Sequence, residues 1–572
     1  MTKSLCRASV LLWCLFLIVP NVRAQSNKAT AANQFDVIIK NGRIIDGSGN
    51  PWYGADVGIR GDRIAAIGRL HDAKAKRVID ASGLVVAPGF IDTLGQSETA
   101  LLIDNRSLSK LAQGITTEIT GEGGSIAPQD SLTLAALQPA LEPYHLKVDW
   151  TDLRGYFHRL EQTGTPLNLG TYVGAAQVRE AVLGDANRPP TPKELEKMKG
   201  LVAEAMRQGA FGISTALIYP PGHYAKTEEL IELAKVVSQY GGIYASHMRS
   251  EGQSEVAAIE EALRIGREAH VPVEIFHLKV IGKPRWGSMP KIAGMIQAAR
   301  DSGQDVTANM YPYVAGGTAL ASSLPPWVAD GGLDKLLERL RDPAVRDRIK
   351  KDLAEEHTDW ENLYLGSGGP SGVLVASVVN KDLKRWTGKT VAEIAAEQKK
   401  DPLEALFDFV LADKGQTGAL YFIASEDDLQ YGLKQPWTSI GLDANETSLD
   451  GLLFEPHGHP RAFGSMPRFL GHYVRDLKIV SLEQAVRKIT SLPAQRQGLV
   501  NRGLLKEGFF ADITVFDPST IADKATYTEP TQLSQGVKFV FVNGQIEFAD
   551  GTLTGVKAGR PLMGPGAAGE LP

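Results

Sequence analysis

The sequence predicts an α/β chain: a (β/α)8 TIM-like barrel in the middle and a small β-sandwich domain built from both termini. Three observations carry this. From about Leu84 to Leu499, short β-branched runs alternate with stretches of helical period; eight such runs can be counted; and both flanks carry Asn-Gly or Asp-Gly pairs between β-branched runs instead. The 572 residues, 43% hydrophobic and 22% charged, are ample for a barrel and one small domain.

The first 24 residues read as a cleaved secretory signal. Lys3 and Arg7 precede an apolar run from Ala8 to Val19, followed by Pro20 and Val22-Arg23-Ala24. The run is shorter than the ~20 residues of a membrane helix, and Leu12-Trp13 before Cys14 is too bulky for a lipoprotein cleavage site. An exported protein, periplasmic or secreted and without a stable membrane span, is expected. Cleavage after Ala24 leaves 572 − 24 = 548 residues and removes three of 61 basic groups, so the balance becomes 58 − 66 = −8. That balance offers no polybasic surface for nucleic acid. Both cysteines, Cys6 and Cys14, leave with the signal. The remaining chain can form no disulfide, thiolate nucleophile or thiolate metal ligand, so any metal must sit on His, Asp or Glu.

The first flank, residues 25–88, alternates in strand fashion: Val37-Ile38-Ile39, Asn41-Gly42, Arg43-Ile44-Ile45, Asp46-Gly47. Residues 500–572 repeat the style in Ala511–Asp517 and in Val537–Val542 before Asn543-Gly544. Residues 89–499 hold the barrel. Its strand candidates are Leu84–Asp92, Thr116–Thr120, Leu167–Val173, Gly212–Leu217, Ile243–His247, Val273–His277, Val306–Asn309 and Ser439–Asp443. Helical stretches such as Thr227–Tyr240 and Ser254–His270 separate them. The gap before the eighth strand is too long for one connection, and its charged helices suggest an inserted helical segment at about 329–425.

Barrel chemistry sits at the C-terminal ends of the strands. His247 and His277 end consecutive strand candidates, close enough to share a cation, and Glu122 follows the second strand in Gly121-Glu122-Gly123-Gly124. Asp443 ends the eighth strand, where a carboxylate suits a general base. One histidine at a strand end is more often a core residue; two at equivalent ends with an acid favour a metal site. No Gly-x-Ser-x-Gly elbow, Walker loop or dinucleotide fingerprint is present.

Val85–Asp92 (Val-Val-Ala-Pro-Gly-Phe-Ile-Asp), Phe35–Gly47 and Gly508–Phe516 resemble the amidohydrolase superfamily of metal-dependent hydrolases. The middle resembles its D-aminoacylases, the N-acyl-D-amino-acid deacylases: Gly212–Tyr219 with Pro220-Pro221-Gly222, Ser246-His247-Met248-Arg249, Tyr311-Pro312-Tyr313, His459-Pro460-Arg461 and Phe469–Arg475 are in that style. The resemblance runs from Phe35 to about Asn543. Carried over residue by residue, it implies metal ligation by His247 and His277 with Glu122 as third ligand, catalysis by Asp443, and substrate binding by Arg461 (carboxylate), Lys279 and Tyr311.

Three departures accompany it. Leu94 and Gln96 stand where the superfamily has His-x-His, so the second metal site those histidines build is expected to be empty or weak. The D-aminoacylase cysteine position is Gly123, which leaves Glu122, or alternatively Glu118, as the acidic ligand. The family serine after the tyrosine is Gly317. The resemblance thus implies an amide hydrolase with one Zn2+ per chain, other divalent ions being admissible, that deacylates a small N-acyl-D-amino acid. A cyclic amide or small peptide as substrate, and a catalytically silent binding protein of the same fold, are the alternatives.

Overall fold

The computed structural model describes residues 34–454 and 457–567; the expected signal, residues 1–24, lies outside them. Among the described residues no helix is long and apolar enough to cross a membrane. The described residues open with β1 (Gln34–Ile44), β2 (Tyr53–Arg60), β3 (Arg63–Gly68), β4 (Lys74–Asp80) and β5 (Val85–Pro88). Asn41-Gly42, expected as a hairpin turn, lies inside β1 instead. Asn41 does take the left-handed conformation (φ 61), but it forms a bulge against β2, its N–H bonded to Asp56 and its side chain to Asp80.

The expected first barrel strand divides at Pro88-Gly89. Val85–Pro88 stays in the terminal sheet, and β6 (Phe90–Asp92) enters the barrel. There it is followed by β7 (Ile115–Thr120), β8 (Asn168–Thr171), β9 (Val173–Gly174), β10 (Gly212–Ala216), β11 (Ile243–His247), β12 (Val273–Ile275) and β13 (Val306–Met310). After an insertion with β14 (Ala315–Ala319), β15 (Val373–Ser377) and β16 (Gly418–Phe422), β17 (Thr438–Ile440) completes the ring. Parallel pairing runs β6-β7-β8 and β9-β10-β11-β12-β13-β17, with Tyr172 joining β8 to β9. The seam between β6 and β17 closes by a parallel bridge from Gly95 to Ala444 and by Asp443 N–H donating to Leu94 O at 2.7 Å. Leu94, Ile119, Tyr172, Phe211, Ile243, Ala245 and Phe276 fill the barrel's interior, a plug whose burial contributes about 1.5–3 kcal/mol per large side chain.

The insertion departs from the helical segment expected at about 329–425. It starts at Ala315 with a strand, and β14 and β15 both pair antiparallel with β16 over a separate core containing Leu320, Leu336, Ile349, Phe407 and Tyr421. Ala315-Gly-Gly-Thr-Ala319 has no β-branched alternation; its register with Gly418–Phe422 makes it a strand.

β18 (Ile513–Phe516), β19 (Val537–Val542), β20 (Gln545–Ala549) and β21 (Thr552–Leu553) return to the terminal sheet, β18 pairing with β5. Among the described residues, strands from the two ends join by hydrogen bonds into one nine-stranded sheet around Ile39, Val57, Ile64, Val86, Ile513 and Phe541. The last residues leave that sheet: Leu169 donates to Arg560 O and Leu562 to Leu169 O, so the tail at 559–567 runs against the barrel.

A buried cation ties the seam together. Lys110, 0% exposed, lies 2.8 Å from Asp92, 3.2 Å from Glu118 and 2.8 Å from the carbonyl of Ala444, the residue after Asp443. Burial opposes its charge, but the two carboxylates outweigh burial and raise its pKa. Lys110→Met strands two buried acids and is expected to lower stability by about 3–5 kcal/mol, read as a drop in the urea midpoint; an unchanged midpoint would dismiss the network.

Candidate active site

The polar residues collect where the strands end. His247 is the last residue of β11, His277 lies two residues past β12, Glu122 two past β7, Tyr311 one past β13 and Asp443 three past β17, while Arg461 opens the helix Arg461–Arg468. Two of these take left-handed backbone, His277 (φ 33) and Asp443 (φ 53). Each is pinned at its N–H: His277 donates to Asn309 Oδ1 and Asp443 to Leu94 O, both at 2.7 Å. Non-glycine residues hold such conformations only when their surroundings over-determine them, and these turns aim both side chains into the barrel mouth.

Glu122 is the meeting point. Its Oε1 lies 2.7 Å from His247 Nδ1 and 2.9 Å from His277 Nε2, and the two ring nitrogens are 3.0 Å apart. The three residues offer ligand atoms all within 4.8 Å of one another. Nitrogens this close cannot both point lone pairs at each other, so a proton or a metal ion belongs between them. Burial and Lys279 push the His277 pKa down, but Glu251 and Glu122 outweigh them and hold it at about 9; His247 is lowered by burial and by its charged neighbour. Burial likewise raises Glu122, yet the two rings outweigh it and keep its carboxylate ionised. Two imidazole nitrogens and a carboxylate oxygen facing one point fit a divalent cation such as zinc.

The neighbourhood of Gly121 and Gly123 explains why the acid stands at 122. Both glycines take positive φ (93 and 71), and a Cβ at Gly123 would lie 2.5 Å from Ala216 Cβ on β10. The loop is pressed against the barrel wall, leaving no room there for a side chain such as cysteine. Glu118 is spent elsewhere: it is 0% exposed, accepts from Ser97 Oγ at 2.7 Å and pairs with Lys110.

Asp443 Oδ2 accepts from Arg461 Nη1 at 2.6 Å, and Arg461 Nη2 donates to Gly317 O at 3.2 Å. Burial pushes the Asp443 pKa up, to about 6, against the pull of Arg461. The Tyr311 ring has Arg461 Cζ 4.8 Å and Lys279 Nζ 5.6 Å from its centroid. The Tyr311 hydroxyl and Arg461 Nε are buried without a hydrogen-bond partner. Lys279, expected as a substrate ligand, is engaged: its Nζ donates to Glu251 Oε1 at 2.6 Å.

A family model described as the amidohydrolase family matches residues 77–548. The chain belongs to the amidohydrolase family. This amidohydrolase is 39% identical over 539 residues to a D-aminoacylase of Alcaligenes xylosoxydans xylosoxydans, covering 92% of this chain and 97% of that one. A solved D-aminoacylase, from work on its binuclear metal centre that describes one-metal activation and second-metal attenuation, matches with a TM-score of 0.76 at 37% identity, over 93% of this chain and 100% of its own. The crystal structure of N-acyl-D-glutamate deacylase from Bordetella bronchiseptica, complexed with zinc and a phosphonate mimic of the tetrahedral intermediate, matches with a TM-score of 0.77 at 33% identity, again over 93% and 100%.

Two contributors to this amidohydrolase's site escape sequence reasoning. Glu251, 2% exposed, lies 2.9 Å from His277 Nδ1, which makes that nitrogen the N–H donor and leaves Nε2 to face Glu122. Burial raises its pKa, but Lys279 and His277 outweigh burial and bring it to about 2. Its one signal was a carboxylate four residues beyond His247. Gln96, read only as a missing histidine, donates to both Glu122 Oε2 (3.1 Å) and Asp443 Oδ1 (2.8 Å).

Glu251→Gln is expected to weaken zinc binding by about 10–100-fold in a chelator competition, because the ring it steers loses its anchor. Glu122→Gln should weaken it further and Glu118→Gln leave it unchanged; the reverse order would transfer the acidic ligand to Glu118.

Proposed function

We propose that this amidohydrolase deacylates N-acyl-D-amino acids to a carboxylic acid and a free D-amino acid at a one-zinc centre. The observation that carries the reading is the convergence of Glu122, His247 and His277 beside the Asp443–Arg461 pair at one barrel mouth. The D-aminoacylase and the zinc-containing deacylase to which the chain is similar over nearly its whole length support the substrate class and the metal. Zinc held by those three ligands would supply Lewis acidity toward the scissile carbonyl and the attacking water.

The chain's own residues do the rest. Asp443 takes a proton from the attacking water and delivers it to the amine nitrogen as the carbon–nitrogen bond breaks. Its pKa near 6 suits that exchange at neutral pH: the group is mostly ionised, yet basic enough to accept. Arg461 keeps one Asp443 oxygen occupied and turns its unpartnered Nε, with the Tyr311 hydroxyl, toward the substrate α-carboxylate. Lys279 adds positive charge there while its bond to Glu251 holds it in place.

Asp443→Asn is expected to keep its zinc while kcat falls by about 10²–10⁴-fold; loss of the metal would recast Asp443 as a ligand. Against a panel of N-acetyl amino acids, the wild type should release D-amino acids and leave the L-enantiomers intact, and the opposite preference would overturn the stereochemical assignment. We also propose export, supported by the pattern of residues 1–24. Protein from the periplasm of an expressing bacterium should begin at Gln25, and an intact Met1 terminus would contradict this.

A further inference from the structure

The side-chain amide of Gln96 occupies a position that composition alone would not mark as chemical. Both groups it touches are carboxylates and therefore acceptors, so only its NH2 end can face them; the amide orientation follows from its partners. Glu122 and Asp443 are two largely buried carboxylates that face the same amide nitrogen. Elsewhere each carboxylate is committed through its other oxygen, Glu122 Oε1 to the two imidazoles and Asp443 Oδ2 to Arg461. The remaining oxygens, Glu122 Oε2 and Asp443 Oδ1, share the one amide nitrogen.

The backbone around Gln96 is built to hold that bridge. On one side Leu94 O accepts from Asp443 N–H at 2.7 Å and Gly95 bridges Ala444. On the other, Ser97 Oγ accepts from Glu446 N–H at 2.8 Å and donates to Glu118 at 2.7 Å. Segment 94–97 is thus fastened to segment 443–446 before and after Gln96. Leu94, 2% exposed, packs in the apolar plug and offers no ligand.

We propose that Gln96 is a positioning residue that makes this a one-metal centre by construction: its two N–H groups hold the ligand Glu122 and the base Asp443 in register and take over the place and the charge-balancing task of a second cation. A neutral amide satisfies two carboxylates without a full charge, and it leaves Oε1 as the Glu122 oxygen that would meet a metal. The catalytic half of this inference rests on the reading of Asp443 as base; the metal-count half stands without it.

The test pairs Gln96→Met, similar in length but with no donor, with Gln96→Glu, which presents a third carboxylate to the same two oxygens. Zinc is titrated into each and the bound equivalents counted after removal of the excess, a readout that requires no substrate; kcat and KM are then measured on N-acetyl-D-leucine. The wild type should hold one equivalent under excess zinc and Gln96→Glu about two. Gln96→Met should keep its tight zinc and a KM within about threefold of wild type while kcat drops by about 10–100-fold. A wild type that takes two equivalents, a Gln96→Glu that stays at one, or a Gln96→Met with wild-type kcat would overturn the proposal. A wild type that hydrolyses no N-acyl-D-amino acid would instead remove the substrate reading and leave the zinc counts to decide the role of Gln96.

Discussion

A carboxylate withdrawn from water is tolerable only when its charge is met, and at the barrel mouth that constraint falls on Glu122. Oxygen Oε1 faces His247 and His277; Oε2 faces the Gln96 amide. The four residues come from the ends of β6, β7, β11 and β12, so one side chain ties together strand ends that are far apart in sequence. Asp443 joins through Gln96 and Arg461 through Asp443. The closure of the barrel between β6 and β17 has the same logic one layer down, where Lys110 meets Asp92, Glu118 and the Ala444 carbonyl.

The departures from family pattern read as one coordinated set. The loop at Gly123 presses against β10 too closely for a side chain, and the neighbouring Glu122 reaches the imidazoles instead. Leu94 packs in the barrel core, and Gln96 forms a hydrogen-bond bridge between Glu122 and Asp443. Apolar packing at Leu94 and one shared amide at Gln96 stand side by side at the end of β6.

Much of this was legible in the sequence, because strand periodicity and position after a strand are local properties. The order of the barrel strands, the placing of His247, His277 and Asp443 at their C-terminal ends, and the joining of both termini in one sheet follow from such local signals. Long-range pairing was less legible. Asn41-Gly42 carries the chemistry of a tight turn, yet Asp56 and Asp80 turn it into a bulge; Ala315–Ala319 becomes a strand only through β16; and the tail at 559–567 takes its path from Leu169 and Gly209. Glu251 and Gln96 carry no motif at all. Their roles arise from what stands opposite them in space, which a single sequence does not display.

The central claim is a single metal held by two imidazoles and one carboxylate. Zinc-edge X-ray absorption on the zinc-loaded wild type tests it most directly. The account predicts a shell of nitrogen and oxygen with two imidazole signatures, no sulfur, and no metal–metal scattering at the ~3.5–4 Å typical of two-metal sites. A metal–metal feature, or a shell lacking either imidazole, would contradict it.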